Sequence, residues 1–219
     1  MEREIIQTLD GSTTIHIKEW NENYHSKHGA IQEAKHVFIK NGLALFPNRT
    51  VSILEIGFGT GLNAFITYLE STGLGQQIDY VGVEGYPISN EELKAMNYVA
   101  ELQALDSKAI FEKMHNSDWE IKTILSDTFS LTKRKQFFEE IEDINAFDLI
   151  YFDAFGYRVQ PELWSTAVFK KMYDALKTDG ILVTYAARGV VKRSMIEVGF
   201  TVEKLAGPPG KREMFRAKK

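Results

Sequence analysis

The sequence contains no cysteine, which removes disulfides, thiolate nucleophiles and cysteine-ligated zinc or iron–sulfur centres and fits a reducing compartment. It has no apolar run long enough for a secretory leader or a bilayer span, and its first stretch, MEREIIQTLDGSTTIHIKEW, carries charge throughout. A cytoplasmic protein without membrane contact is therefore expected. His16, His25, His28, His36 and His115 have no metal-ligand spacing, and no serine sits in a nucleophile elbow, so metal sites and triad hydrolysis are not expected. No internal repeat, low-complexity segment or linker divides the 219 residues, and one domain over 1–219 is expected.

The net charge of -4 argues against a protein that coats nucleic acid nonspecifically. Charge is uneven, however: from Arg188 onward nine lysines and arginines face three glutamates. That asymmetry has two readings, a phosphate-contacting surface or a solvated face with a charged tail.

From about residue 50, short apolar runs alternate with helical patterns, the signature of βα units and a largely parallel sheet. Strands are expected at Val51–Ile56, over DYVGVE ending at Glu84, over IKTILSD ending near Asp127, at Phe147–Phe152 and over GILVTYA. FTVEKLAG and KREMFRAK close the chain as a hairpin around Gly207, Pro208, Pro209 and Gly210. Helices follow the first strand (LNAFITYLE) and the second, where Ser89 and Glu92 form a capping box opening SNEELKAMNYVAELQAL. A further helix runs from Pro161 to Leu176, and another is closed by Gly199. The expectation is an α/β, Rossmann-like core over 51–219 with a seven-stranded, mostly parallel sheet ending in an antiparallel hairpin. Residues 1–50 form a small cap, with a hairpin around Asp10 and Gly11 and a helix over AIQEAKHVFI.

The strongest chemical signal is EIGFGTGLN, an acid and glycines 57, 59 and 61 at a strand-to-helix junction. Glycines there let the backbone turn tightly and approach a ligand within van der Waals distance. A dinucleotide dehydrogenase is the alternative, but Leu62 stands where its third glycine belongs. The spacing E-x-G-x-G-x-G resembles motif I of class I methyltransferases. Glu84, at the carboxyl end of the second strand, is placed to accept hydrogen bonds from ribose hydroxyls. Asp127, ending the third strand, stands where that class receives the adenine amino group, with Ser126 or Thr128 as alternatives. Asp153, just beyond the fourth strand, would face the reacting methyl and could orient an amine. Trp20, Trp119 and Trp164 read as packing residues.

Four stretches together resemble one family: YHSKHGAIQEAKHVFIKNG from Tyr24, EIGFGTGLN from Glu55, YFDAFGYRVQPELWS from Tyr151 and GFTVEKLAGPPGKREM from Gly199. They are similar to the methyltransferase domain of the MnmC-like tRNA 5-methylaminomethyl-2-thiouridine biosynthesis proteins, over nearly the whole chain. The resemblance implies methyl transfer from S-adenosyl-L-methionine to the aminomethyl group of 5-aminomethyl-(2-thio)uridine at the wobble position, in the anticodon loop of tRNA. It implies a cofactor loop of Glu55, Gly57, Phe58, Gly59, Thr60, Gly61 and Asn63, a ribose site at Glu84, an adenine site at Asp127 and a methyl-transfer site at Asp153. Tyr24, Glu33 and Trp164 are grouped with the cap and substrate. The run GYRVQP departs from the family, which often has a proline after the aspartate–phenylalanine pair and asparagine–proline before the tryptophan. The FAD-dependent oxidase domain of bifunctional members is not in this sequence, so the upstream amine is expected from a separate FAD-dependent or aminomethyl-forming enzyme. Competing readings are a methyltransferase for a small-molecule amine or another RNA site, and a noncatalytic cofactor- or RNA-binding module.

Overall fold

A computed structural model describes residues 2–219. The cap is a three-stranded antiparallel sheet of β1 (Arg3–Gln7), β2 (Thr13–Ile17) and β3 (Glu22–Asn23), followed by α1 (Ala30–Ala34), which continues into a π-helical turn, Lys35–Lys40. The expected hairpin around Asp10 and Gly11 is the β1–β2 connection. Asp10 holds it: its Oδ1 accepts the Ser12 N–H at 3.1 Å and its Oδ2 the Gln32 N–H at 3.0 Å, tying the turn to α1.

The core contains β4 (Thr50–Ile56), α2 (Leu62–Ser71), β5 (Gln77–Val83), α3 (Asn90–Lys94), α4 (Tyr98–Glu101), α5 (Lys108–Asn116), β6 (Thr123–Ser126), β7 (Phe129–Arg134), β8 (Phe147–Phe152), α6 (Thr166–Ala175), β9 (Leu176–Thr184), α7 (Gly189–Glu197), β10 (Thr201–Ala206) and β11 (Glu213–Lys218). They form an eight-stranded sheet in the order β10-β11-β9-β8-β4-β5-β7-β6. The strands β7, β5, β4, β8 and β9 are parallel, β6 at one edge runs antiparallel to them, and at the other edge β11 pairs antiparallel with both β9 and β10. The chain winds outward from β4 through β5 to β7 and then returns to β8. The topological switch therefore lies between β4 and β8, where doubly wound sheets open a ligand crevice.

Alternation along β4 divides the core. Val51 and Ile53 pack on the face covered by α1, α2 and α5, while Leu54 and Ile56 pack on the face covered by α6 and α7. By the same parity Glu55 points under α2 rather than into solvent.

Three expectations are corrected. The sheet has eight strands, because FSLTKR, not IKTILSD, is the third parallel strand. IKTILSD supplies only the edge strand β6, which turns back antiparallel onto β7. Asp127 consequently sits, exposed, in the β6–β7 turn, at the opposite end of the sheet from the glycine loop. The helix after β5 is also broken. Its capping box forms, with Ser89 Oγ accepting the Glu92 N–H and Glu92 accepting the Ser89 N–H, but α3 ends at Lys94. Asn97 breaks it by bonding the cap: its Oδ1 accepts the Thr13 N–H at 2.8 Å and its Nδ2 donates to the Gly11 carbonyl at 2.9 Å.

Candidate functional site

A cleft opens at the carboxyl ends of β4, β5 and β8, under the cap, at the end of the sheet where doubly wound folds bind their ligands. Its floor is the loop after β4. Gly57, Gly59 and Gly61 all have positive φ, and Gly61 is the N-cap of α2. Gly57 permits a close approach: a Cβ there would lie 2.8 Å from the Asp153 carbonyl oxygen. Phe58 and Gly59 line the cleft with Thr60 and Asn63. Thr60 is buried and held from three sides, by the Tyr98 hydroxyl donating at 3.0 Å, by His25 Nε2 at 3.5 Å and, at its carbonyl, by His115 Nε2 donating at 3.1 Å.

Glu84 reaches into the cleft where expected. Its Oε2 accepts the Gly59 N–H at 2.9 Å and its Oε1 the Tyr86 N–H at 2.8 Å. A carboxylate has about four lone-pair positions, so two remain for a ligand's hydroxyls.

Asp153 stands across the loop on the first residue after β8. Its N–H donates to the Ile56 carbonyl, and its Oδ2 accepts from Asn63 Nδ2 at 2.9 Å. The same Asn63 amide donates to Glu55 Oε1 at 2.9 Å, bridging two carboxyls in a way that neither strand could arrange alone. Burial, reinforced by the nearby Glu33 charge, pushes the Asp153 carboxyl up to about 7, against the opposing pull of the Asn63 donor. Burial holds Glu55 well above the usual carboxylate range. Glu55 is fully buried, does not line the cleft, and faces the buried Tyr80 hydroxyl as well as Asn63. It lies beneath the cleft floor and braces Asn63, which lines the cleft.

The cap supplies the roof. Tyr24 packs edge-on against Phe155 (ring centroids 5.0 Å), with the Arg3 guanidinium 5.7 Å from its ring centre. Glu33 is buried behind the roof, ion-paired with Lys211 and accepting the Ser26 N–H at 2.9 Å. Trp164, grouped with the substrate residues by resemblance, is instead a core residue, 1% exposed, packed on Phe152 and Phe169. Its Nε1 donates to the Phe155 carbonyl at 2.8 Å and so fixes the loop that carries Asp153. Asp127, far from this cleft, cannot serve an adenine site here. The loop after β7 faces the cleft in its place, with Phe137 and Glu139 opposite Gly85 and Tyr86.

Sequence reasoning missed His25. Its Nδ1 lies 2.9 Å from Thr14 Oγ1 and its ring packs edge-on to Tyr98, so it links the cap strand to the glycine loop. Burial depresses its imidazole to about 4, and burial with Lys133 nearby does the same to His115; both are neutral at pH 7. The HSKH context carried no ligand spacing, and only the folded cap brings His25 to the loop.

A family model for S-adenosyl-L-methionine-dependent methyltransferases matches residues 91–219. The chain is 31% identical over 210 residues to the tRNA 5-methylaminomethyl-2-thiouridine biosynthesis bifunctional protein MnmC of Burkholderia multivorans, covering 88% of this chain and 31% of that protein. Its identity to the protein of the same name from Hydrogenovibrio crunogenus is 28% over 206 residues, covering 87% and 30%. The chain thus spans about a third of the length of these relatives. Among solved structures it superposes on MnmC2 from Aquifex aeolicus with a TM-score of 0.73 at 24% identity, covering 99% of this chain and 70% of that one. Spermidine synthase from Thermotoga maritima gives a TM-score of 0.58 at 15% identity, with coverages of 99% and 68%. At those identities the two structures attest the fold.

Proposed function

Since the chain belongs to the S-adenosyl-L-methionine-dependent methyltransferase family that it matches over residues 91–219, we propose that it methylates the aminomethyl group of 5-aminomethyl-(2-thio)uridine at the wobble position of tRNA. The curated relatives, named for 5-methylaminomethyl-2-thiouridine biosynthesis, support the substrate. The carrying observation in this chain is the Asp153 carboxyl, fixed by Asn63 at the edge of the cleft beside the glycine loop.

The cleft fits the cofactor. The glycine backbone lets the loop turn with positive φ and pack down on the Asp153 backbone, so that Gly57, Phe58 and Gly59 line the cleft, and Glu84 offers a carboxylate with free acceptor positions beside them. S-adenosyl-L-methionine supplies an electrophilic methyl group on its sulfonium. Gly57, Phe58, Gly59 and Thr60 would hold the methionine end, Glu84 the ribose hydroxyls, and Gly85, Tyr86 and Phe137 the adenine. Asp153 orients the incoming amine and accepts its proton, a role suited to a carboxyl poised near neutrality. Tyr24 and the rest of the cap exclude water, and holding both reactants in one desolvated geometry supplies most of the rate. The enzyme works in the cytoplasm on the anticodon loop, and another protein or domain supplies the amine.

Methyl transfer from labelled S-adenosyl-L-methionine to tRNA from cells lacking this protein tests the reading. Label in 5-methylaminomethyl-type uridine is the expected result, and no labelled tRNA with cofactor binding intact by calorimetry overturns it. Glu84→Ala is expected to weaken cofactor binding by at least about tenfold, since each hydrogen bond to a charged acceptor contributes about 1.5–3 kcal/mol and the loop bond to Gly59 is lost as well. Titration calorimetry reads this directly, and an unchanged Kd would remove Glu84 from the ribose site.

A further inference from the structure

The basic character of the C-terminal region resolves unevenly in the fold. Lys204 pairs with Glu213, Arg216 with Glu203, Lys218 with Asp179 and Lys211 with Glu33. Lys219 bonds Asn145 and the Leu176 carbonyl. Four cations, Arg188, Lys192, Arg193 and Arg212, have no carboxylate partner among the described residues. Two of these, Arg188 and Arg212, line one groove of about 850 Å³, formed by the Gly156–Arg158 turn, the segment after β9 and the β10–β11 turn.

The other charges of that groove are already committed. Arg158 bonds Glu22 and the carbonyls of Trp20 and Asn21, Lys211 is held by Glu33, and Glu213 is neutralised by Lys204. What the groove offers is two guanidiniums without carboxylate partners and two tyrosines: Tyr157, with Arg188 5.5 Å from its ring centre, and Tyr185, whose ring carries the Lys211 ammonium at 3.7 Å. Tyr185 also forms the partition with the cleft, since its hydroxyl donates at 2.8 Å to the carbonyl of Ala154, the residue after Asp153. The cleft and the groove adjoin at consecutive residues, Phe155 lining the one and Gly156 the other. Planar, permanently charged guanidiniums suit phosphate recognition, and aromatic faces suit unpaired bases.

We propose that this groove binds the single-stranded RNA next to the target nucleotide, with Arg188 and Arg212 on its phosphodiesters and Tyr157 against a flanking base. The inference rests on the tRNA reading above for its ligand class, but the groove is defined by its own residues. It predicts that few phosphate contacts hold the RNA, because most of the region's positive charge is spent on internal pairs, and that the protein distinguishes a loop from a duplex by Tyr157.

The test is fluorescence anisotropy of a labelled RNA hairpin of anticodon-stem-loop size against the full chain across a salt series, for wild type, R188A/R212A, Tyr157→Ala and Lys40→Ala. Lys40 is exposed and without an ion pair among the described residues, and it lies outside the groove. R188A/R212A is expected to weaken binding at least tenfold and to flatten the salt dependence by about 1 to 2 in log–log slope, since each lost phosphate contact removes roughly 0.7–0.9. Tyr157→Ala weakens binding with the slope unchanged, Lys40→Ala stays within about twofold, and cofactor binding by calorimetry is retained throughout. Equal affinity and slope in wild type and R188A/R212A overturns the proposal, as does an equal loss in Lys40→Ala, which would mark a net-charge effect. A parallel loss of cofactor binding in R188A/R212A also overturns it, assigning the groove to the cofactor. Wild type that binds the hairpin through these arginines yet labels no tRNA leaves the groove standing and sinks the methylation reading. Labelled tRNA with indifferent arginines does the reverse.

Discussion

Asp153→Ala is expected to lower kcat for methyl transfer by about 10²–10⁴-fold, the usual contribution of a positioned acid or base, while the Kd for S-adenosyl-L-methionine moves less than tenfold. The split follows from geometry. The glycine loop and Glu84 bond one another without Asp153, whereas Asp153 faces the cleft from β8 and is fixed only through Asn63 and its own backbone. The pH dependence gives a second reading of the same group. With its carboxyl raised to about 7, Asp153 is protonated below neutrality and ionised above it, so kcat/KM rises with pH through about 7. Asp153→Asn removes that limb and leaves the one belonging to the amine. Stability runs the other way. The native state holds the proton over the interval between the ordinary value of 3.8 and about 7, while the unfolded chain has released it, so this group's contribution falls as pH rises through that window. Asp153→Asn is thus more stable than wild type at pH 8, with the difference vanishing below about pH 4. Equal losses of kcat and cofactor affinity would make Asp153 a cofactor ligand and nothing more.

The elements that were legible in the sequence are those whose determinants are local. The glycine loop declares itself because positive φ at Gly57, Gly59 and Gly61 needs residues without a Cβ. The Ser89–Glu92 box is a four-residue pattern, and the closing hairpin is marked by Gly207 to Gly210. The third parallel strand was hidden because its burial is tertiary. Lys133 in FSLTKR reads as a surface residue, yet it is 1% exposed, donates to the His115 carbonyl and lies over Trp119. With the strand shifted, Asp127 fell at the wrong end of the sheet. The cleft walls were illegible for a related reason. Arg3, Tyr24 and His25 of the cap meet Phe137 and Phe155 of two core loops, and no spacing along the chain encodes an encounter between segments so far apart. Glu55 shows the middle case: its place in the motif was readable, but its burial under α2 follows from strand parity together with Asn63, the second residue of α2.

Gly57→Ala is expected to abolish measurable methyl transfer, weaken cofactor binding by more than about 100-fold and destabilise the fold by about 2–4 kcal/mol. Two independent physical effects act at this position. Its φ of 89° is one that a residue with a Cβ adopts only at about 1–3 kcal/mol. The added methyl would also sit 2.8 Å from the Asp153 carbonyl oxygen and 3.3 Å from its carbonyl carbon. That neighbour is backbone, pinned where Asp153 donates to Ile56, and no rotamer change relieves the contact. Either the loop lifts off β8 or the end of β8 moves, and both displace Asp153 relative to the cradle. An ångström-scale error there is enough to lose about 10²-fold in rate. Gly73→Ala is the control. Its Cβ would meet only the Glu70 carbonyl oxygen at 3.6 Å, and its φ lies outside the left-handed region, so it is expected to be neutral or to stabilise by about 0.4–1 kcal/mol through the unfolded chain. Denaturant midpoints, cofactor calorimetry and single-turnover methyl transfer on the pair separate the general consequence of losing a glycine from the specific one of separating the loop from β8. If Gly57→Ala unfolds at the wild-type midpoint and still binds cofactor, the contact between the glycine loop and the Asp153 backbone does not set the site's geometry.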